Sequence, residues 1–391
     1  MAPIRRRRAL QLAGGSLSAL VAGCVGGSPS TGTDEQTDTP TDEPTETPTD
    51  EPTETPMAAT EVTGSEQVRY PSGPSEPDWA GADAVGHVSL AASRERARAL
   101  LAPFELPEER REPVVELLRG TDFERSLLAL VETVGPNGCY RTVELSNLAL
   151  SDDRLVSDAS AVDESDGETA CTEALTYPAT LVRVTFDGTP PERATFTITD
   201  GWGESADVTG TVEDRIGPDP DDLAGHVRPD DDPVVREPLS CDREGFKRHE
   251  SWVDDPPWGL ATDDDGAPTF ALRVDRLEAA VGETVTVAMT NVSDSVLSTG
   301  NRHKYGFQTH TESGWEDVRG ATDGDHLPYT DEAISHAPGD GFEWTLALTE
   351  EGLVADHVHA DRLVVCPDLE PGRYRFVFWE PAVAVAFDLV E

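Results

Sequence analysis

The sequence has 391 residues, of which 76 are acidic and 30 are basic, so its formal net charge is −46. Such an excess leaves no basic face to neutralise phosphates, and nucleic acid is therefore excluded as a partner. Acidic runs such as Asp230–Asp232 are typical of a solvated surface, so they do not by themselves indicate a metal site.

The chain begins with the pattern of an export signal. Arg5–Arg8 precede an apolar run, Ala9–Gly23, which is shorter than the roughly 20 residues of a membrane-spanning helix. The segment resembles a twin-arginine lipoprotein signal, because Arg6–Leu10 fits the twin-arginine pattern and Val21–Cys24 fits the lipobox. The resemblance implies a signal peptide over residues 1–23, lipidation of the Cys24 thiol and anchoring on the extracellular face of the cell membrane.

The charge balance also indicates that the protein works at high salt concentration. Only Lys247 and Lys304 are lysines, and so acidic a surface repels itself at ordinary ionic strength. Near 1 M salt the Debye length falls to about 3 Å, which screens most of this repulsion. In this respect the chain resembles proteins of salt-loving archaea, and we expect a halophilic protein.

Residues 24–78 contain an acidic, proline-rich repeat. The sequence TDEPTETP occurs at 41–48 and again at 49–56, and no basic residue lies between Asp34 and Pro56. Because this composition offers little apolar surface to bury, we predict a disordered tether that holds the folded part away from the membrane.

Residues 79–218 are predicted to form a small α+β domain. A strand at Val85–Leu90 precedes a helix at Arg94–Leu101 that Ser93 caps, and a second helix at Glu108–Arg119 ends at Gly120. The remaining strands are predicted at Ser126–Val134, Cys139–Leu145, Leu148–Ala159, Thr180–Phe186 and Ala194–Thr199.

Two short motifs in this region, Gly138–Tyr140 and Leu175–Pro178, carry a second resemblance. The region resembles the small extracytoplasmic domain of lipoproteins that stabilise a surface protease complex. The resemblance implies a non-catalytic interaction domain, and a regulator or stabiliser of an extracellular protease is therefore an alternative function.

Residues 219–266 are rich in proline and aspartate, and we expect a linker and a disulfide-pinned segment that lies over the second domain. Residues 267–391 then alternate short apolar strands with turns, which predicts an all-β sandwich. The run Leu369–Tyr374 resembles the tyrosine corner of Greek-key sandwiches, and the region resembles bacterial immunoglobulin-like domains. No cysteine follows Tyr374 by two residues, so the inter-sheet disulfide of antibody domains is absent.

Lipidation of Cys24 leaves four cysteines, Cys139, Cys171, Cys241 and Cys366, which in an exported protein favour disulfides over metal ligands. Three connectivities are possible. We favour Cys139–Cys171 and Cys241–Cys366, because each pair then stays within one predicted domain.

Six histidines fall in the second region: His303, His310, His326, His336, His357 and His359. An extended chain would place His357 and His359 on one face, so a copper or zinc site is an alternative, whereas loop histidines without a ligand are the simpler interpretation. We therefore assign no metal and no cofactor. Asn291–Ser293 forms an N-glycosylation sequon. The alternative interpretation is that these residues form a turn and carry no glycan.

The sequence contains no nucleophile elbow, zinc-protease motif, phosphate-binding loop or dinucleotide fingerprint. We therefore expect a lipid-anchored cell-surface protein that binds an unknown protein partner and is not an enzyme. A metal-binding surface protein is the other alternative.

Overall fold

A computed structural model describes residues 59–70, 77, 79–80, 84–102, 106, 108–165, 170–250, 252–322 and 327–391. The signal peptide, Cys24, the TDEPTETP repeats and His326 lie outside these residues. Within this part of the chain, no helix has the length and apolar character needed to cross a bilayer.

The described chain is mostly β-structure. The helices are α1 (Arg94–Leu101), α2 (Glu108–Arg119) and α3 (Gly352–Ala355). The strands of the first domain are β1 (Val62–Tyr70), β2 (Gly86–Ala91), β3 (Ser126–Thr133), β4 (Tyr140–Ser151), β5 (Arg154–Asp163), β6 (Ala179–Phe186), β7 (Arg193–Thr199) and β8 (Ser205–Thr211). The remaining strands are β9 (Lys247–Arg248), β10 (Leu260–Thr262), β11 (Pro268–Val274), β12 (Glu278–Ala280), β13 (Thr284–Asn291), β14 (Leu297–Thr299), β15 (Tyr305–Thr311), β16 (Gly314–Asp317), β17 (Arg319–Ala321), β18 (Ile334–His336), β19 (Gly341–Ala347), β20 (Leu363–Val365), β21 (Gly372–Trp379) and β22 (Ala382–Val390).

The first domain has two sheets and a helical layer. One sheet has the strand order β1-β6-β3-β2, and the other has the order β4-β5-β7-β8. Strand β3 is buried along its whole length. Because side chains alternate along a strand, Leu127 and Val131 enter the core between the sheets, whereas Leu128 and Leu130 pack under the helices. Ser93 caps α1 by accepting a hydrogen bond from the Arg96 amide at 3.1 Å, as the sequence predicts.

Two expectations about the first domain need correction. Strand β1 lies within residues 24–78, the predicted tether, so the folded part begins earlier than expected. Its sequence, VTGSEQVRY, lacks an apolar alternation because it is an exposed edge strand, and β6 is its one partner among the described strands. The predicted strand Leu148–Ala159 is two strands, because Asp152 and Asp153 adopt positive φ angles of 49° and 58° and form a tight hairpin turn.

The second domain has two larger sheets that enclose one core. The sheet β10-β11-β13-β19 faces the sheet β12-β22-β21-β15-β16, and aromatic side chains fill the space between them. The ring of Tyr305 stacks on that of Phe376 with centroids 4.8 Å apart, and Trp344 lies equally close to Phe376. We call β12-β22-β21-β15-β16 the five-stranded sheet.

Residues 219–266 are packed along the second domain. The Ala386 amide donates to the Val227 carbonyl at 2.8 Å, and the Gly259 amide donates to the Ala384 carbonyl at 2.9 Å. Val253 and Trp258 pack against the outer face of the five-stranded sheet. We call residues 219–266 the covering segment, because the sheet is thereby covered on both faces.

Two disulfides pair the four cysteines, Cys139 with Cys171 and Cys241 with Cys366, which is the connectivity favoured from the sequence. Their Cα atoms are 5.3 and 5.6 Å apart, within the usual range for disulfides. The second bond ties the covering segment to the chain ahead of β21.

The Tyr374 hydroxyl closes the corner before β21. It donates to the Glu370 carbonyl at 2.8 Å and accepts from Arg236 Nη1 at 3.2 Å. Arg236 also pairs with the Glu370 carboxylate. One buried hydroxyl therefore joins the corner to the covering segment.

We predict that Tyr374→Phe lowers the free energy of unfolding by about 1–2 kcal/mol, because the Glu370 carbonyl loses its donor and Arg236 loses an acceptor. Denaturant titration in molar salt measures the change. Tyr140→Phe is the control, since the Tyr140 hydroxyl has no hydrogen-bond partner among the described residues and its loss should cost little. Equal losses in the two variants would contradict a special role for the corner.

Candidate functional site

The outer face of the five-stranded sheet is polar although it is buried. In β21 the side chains of Tyr374, Phe376 and Phe378 enter the core, so those of Arg373 and Arg375 lie on the opposite face. Arg373 is 5% exposed and Arg375 is 2% exposed. Arginine is seldom buried to this degree unless its charge is paired, so each of these side chains requires a physical explanation.

The covering segment turns this part of the face into a cleft. The space has a volume of about 330 Å³, at the lower end of the range for small-molecule sites. Trp258 from the covering segment and Trp315 from β16 meet at its wall, with ring centroids 6.0 Å apart and planes inclined by 59°. We call this space the Arg375 cleft.

Arg375 lies in the cleft with most of its donors uncommitted. Its Nε donates to Gln308 Oε1 at 2.5 Å, and its guanidinium carbon lies 4.6 Å from the centroid of the Trp315 ring. Within the described residues, no carboxylate lies within ion-pair distance of Arg375, and its two terminal nitrogens make no hydrogen bond to protein. Burial lowers the pKa of Arg375 to about 10, although Asp255 acts in the opposite direction.

Arg373, two residues away, shows the opposite arrangement. Its Nε and Nη2 donate to the two carboxylate oxygens of Asp388 at 2.8 and 2.9 Å. Its Nη1 donates to the Asp231 carbonyl at 2.6 Å. Hydrogen bonding to Asp388, together with Asp231, raises the pKa of Arg373 above its usual value. The charge of Arg373 is thus balanced by the protein, whereas that of Arg375 is not.

Two further polar groups beside Arg375 have unused hydrogen-bonding capacity. Gln308 Nε2 and His310 Nδ1 are buried and have no protein partner among the described residues. The His310 ring lies 5.0 Å from that of Trp315. Burial lowers the pKa of His310, and Arg375 and Arg373 lower it further, so this ring is neutral near pH 7.

The rim of the cleft is acidic. Asp230, Asp231, Asp232, Asp254 and Asp255 line its opening, and all five are exposed. Arg228 also lies at the rim, where its guanidinium carbon is 5.1 Å from the centroid of Trp258. The cleft therefore offers a cationic base, two indole rings and a ring of carboxylate acceptors.

A buried ion pair lies where β16 is followed by β17, which belongs to the separate sheet β20-β17-β9. Arg319 is fully buried, and its Nε lies 3.1 Å from Asp317 Oδ1. Burial alone would lower the pKa of Arg319, but Asp317 and the ring of Tyr305 raise it above its usual value. This pair stabilises the connection between β16 and β17, because Asp317 also accepts hydrogen bonds from the amides of Phe307 and Arg319.

The structure places His303, His357 and His359 close together, and both ring nitrogens of His357 and Nε2 of His359 have hydrogen-bond partners. The His357 Nε2 atom lies 3.2 Å from the His303 carbonyl, and His357 Nδ1 accepts from the His359 amide at 3.1 Å. Burial, followed by the charge of Arg319, lowers the pKa of His357 to about 2. In the described part of the chain, no group of three or more His, Cys, Asp or Glu side chains is arranged to hold a metal ion.

His336 lies apart from these histidines, beside the predicted glycosylation site. Its Nε2 is 2.9 Å from the Thr299 hydroxyl.

Asn291 is fully buried, and its Nδ2 donates to the carbonyls of Ser295 and His336 at 2.8 and 3.0 Å. A glycan needs that nitrogen and open space, so glycosylation of Asn291 does not fit the folded chain. The residue instead stabilises a turn, with its Oδ1 accepting from the Ser293 amide.

Sequence reasoning missed the Arg375 cleft altogether. The available signal was the alternation in Gly372–Trp379, where two arginines occupy the face opposite to three aromatic residues. This pattern is typical of a strand with one solvated face. Only the covering segment, more than 100 residues earlier in sequence, makes that face a cleft.

We predict different stability effects for two buried arginines. Arg319→Met should cost about 3–5 kcal/mol, because it leaves Asp317 charged, buried and without its partner. Arg375→Met should leave the free energy of unfolding unchanged or raise it by about 1 kcal/mol, because it removes an uncompensated buried charge. Denaturant titration of both variants beside the parent checks this. A loss at Arg375 as large as that at Arg319 would show that Arg375 is structural.

Comparison of the chain with protein-family models, with curated proteins and with solved structures gave no match.

Proposed function

We propose that this chain is an exported, lipid-anchored protein of the cell surface, and that it binds a small anionic ligand in the Arg375 cleft without catalysis. The observation that carries the binding proposal is Arg375 itself. Its charge is buried and unpaired among the described residues, with terminal nitrogens uncommitted, at the base of a cleft of ligand size.

An anion is the partner that these groups favour. The guanidinium fork of arginine matches a carboxylate with two parallel hydrogen bonds, and such charge-assisted bonds are about twice as strong as neutral ones. Gln308 does not line the cleft; its Oε1 accepts from Arg375 Nε and so leaves the two terminal nitrogens of Arg375 available. A bound anion would therefore satisfy nitrogens that the fold alone leaves uncompensated.

The proposed architecture of the second domain is an immunoglobulin-like sandwich. Its support is the pair of facing sheets and the Tyr374 hydroxyl, which bonds to backbone four residues earlier, as in a tyrosine corner. In this proposal the ligand lies on the outer face of one sheet, under the covering segment.

The proposed location depends on the N-terminal pattern and on the paired cysteines. Arg6–Leu10 and Val21–Cys24 support export and lipidation, and two disulfides are typical of an oxidising compartment. The acidic composition supports a saline environment. Regulation of an extracellular protease stays a prediction based on the Gly138–Tyr140 motif, and the engaged nitrogens of His357 do not favour the metal-binding alternative.

We predict that small monoanions stabilise the purified chain through Arg375. A ligand at 100 times its dissociation constant adds about 2.7 kcal/mol of stability, which calorimetric melting readily detects. The probes are the monoanions acetate, lactate and glucuronate, with the dianion sulfate and neutral glucose for comparison, in molar potassium chloride. At least one carboxylate should raise the Tm of the parent but not that of Arg375→Met.

Arg276→Met is the matched control, because it removes an exposed arginine from the same domain and lies outside the cleft. It should respond to the probes as the parent does. Equal shifts in the parent and in Arg375→Met for every probe would refute the binding site.

We predict that Cys24→Ser releases the protein from the membrane. The parent should fractionate with membranes and carry lipid mass on its N-terminal cysteine, whereas the variant should lack that mass and appear in the medium. Mass spectrometry of the N-terminal peptide and cell fractionation measure both effects. An unlipidated parent chain that begins at Met1 would contradict the proposed location.

A further inference from the structure

We infer that the ligand of the Arg375 cleft is a uronic acid, that is, a sugar ring bearing one carboxylate. This inference rests on the proposed function and adds the class of ligand. Three features of the cleft carry it: the buried, unpaired guanidinium of Arg375, the inclined indole rings and the carboxylates of the rim.

The cleft supplies one uncompensated buried charge. Arg373 is neutralised by Asp388 and Asp231, and Arg228 is exposed at the rim, so among the described residues that line the cleft Arg375 is the buried cation left for an anion. The acidic rim repels ligands that carry several negative charges, because they would bring charge close to Asp230–Asp232 and Asp254. A ligand with one carboxylate, placed deep in the cleft, satisfies both conditions.

The tryptophan pair favours a puckered ring with apolar faces. Trp258 and Trp315 are inclined by 59°, so they do not form a parallel slot for a flat aromatic ring. Arg228 lies against Trp258 and Arg375 lies against Trp315, so the exposed remainder of each indole is the apolar surface offered to the C–H groups of a sugar chair. Both tryptophans are partly exposed, so surface remains for such contacts.

The rim then distinguishes hydroxylated acids from other carboxylates. Ionised aspartates only accept hydrogen bonds, so they bind partners that carry donors. A sugar ring carries several hydroxyl donors, which suits an opening lined by five aspartates. An amino acid carries a single ammonium group and could use only part of this rim.

The experiment compares four probes by titration calorimetry on the mature chain in molar potassium chloride. Methyl β-glucuronoside has the ring, hydroxyls and carboxylate, methyl β-glucoside lacks the carboxylate, and cyclohexanecarboxylate lacks the hydroxyls. Alanine provides a zwitterion. The glucuronoside should bind at least ten-fold more tightly than each of the other three.

The variants assign this preference to the cleft. Arg375→Met should reduce glucuronoside affinity at least ten-fold, and so should Trp258→Ala, whereas Arg276→Met should bind as the parent does. Circular dichroism confirms that each variant is folded.

Each contrary result has a distinct meaning. Equal binding of cyclohexanecarboxylate would overturn the sugar assignment but leave the anion-binding function, as would tighter binding of alanine through Arg375. Equal binding of the neutral glucoside would overturn the role of the carboxylate. No binding of the glucuronoside would overturn the inference, while the melting experiment with the wider set of anions decides the proposed function separately.

Discussion

The structure of the second domain depends on the covering of one sheet from both sides. Aromatic residues such as Phe376 fill the inner face, and residues 219–266 cover much of the outer face, where Val253 and Trp258 pack against it. An antiparallel sheet commonly leaves one face in water, and polar side chains on that face cost little. Here the outer face retains such side chains and loses its solvent. The covering segment therefore turns ordinary surface arginines into buried charges, and each must be compensated.

The chain compensates these charges in different ways. Arg373 has a two-bond pairing with Asp388 across β21 and β22, and Arg319, in the separate sheet β20-β17-β9, has Asp317 two residues before it at the end of β16. Removing a charge from water costs several kcal/mol even after relaxation, and a well-placed carboxylate recovers most of that cost. Among the described residues, Arg375 contacts the neutral amide of Gln308 and the ring of Trp315 but no carboxylate, so burial lowers its pKa despite the charge of Asp255. With an anion beside it, Arg375 would resemble the other two arginines.

Much of this fold follows from the sequence, because local signals specify it. Alternation predicts strands such as β13, the Ser93 side chain predicts the start of α1, and the Leu369–Tyr374 run predicts the bonded hydroxyl of Tyr374. Strand β1 gives no such signal, since an exposed edge strand needs backbone pairing rather than an apolar face. The cleft is still harder to predict from the sequence, because Trp258 and Arg375 are brought together by tertiary packing. The burial of Asn291 likewise depends on His336, 45 residues away.

A buried arginine is well suited to anion recognition in the saline environment that the composition suggests. At about 1 M salt the Debye length of roughly 3 Å abolishes attraction between exposed charges at any useful range, so a surface patch of lysines would select little. A charged side chain inside a cleft is screened much less by salt. Its hydrogen bonds to a ligand form at contact distance, where no salt ions lie between the two groups. In the proposed function, selectivity would therefore depend on geometry in the cleft, where the guanidinium fork of Arg375 can donate two parallel hydrogen bonds to a carboxylate but not to a spherical halide.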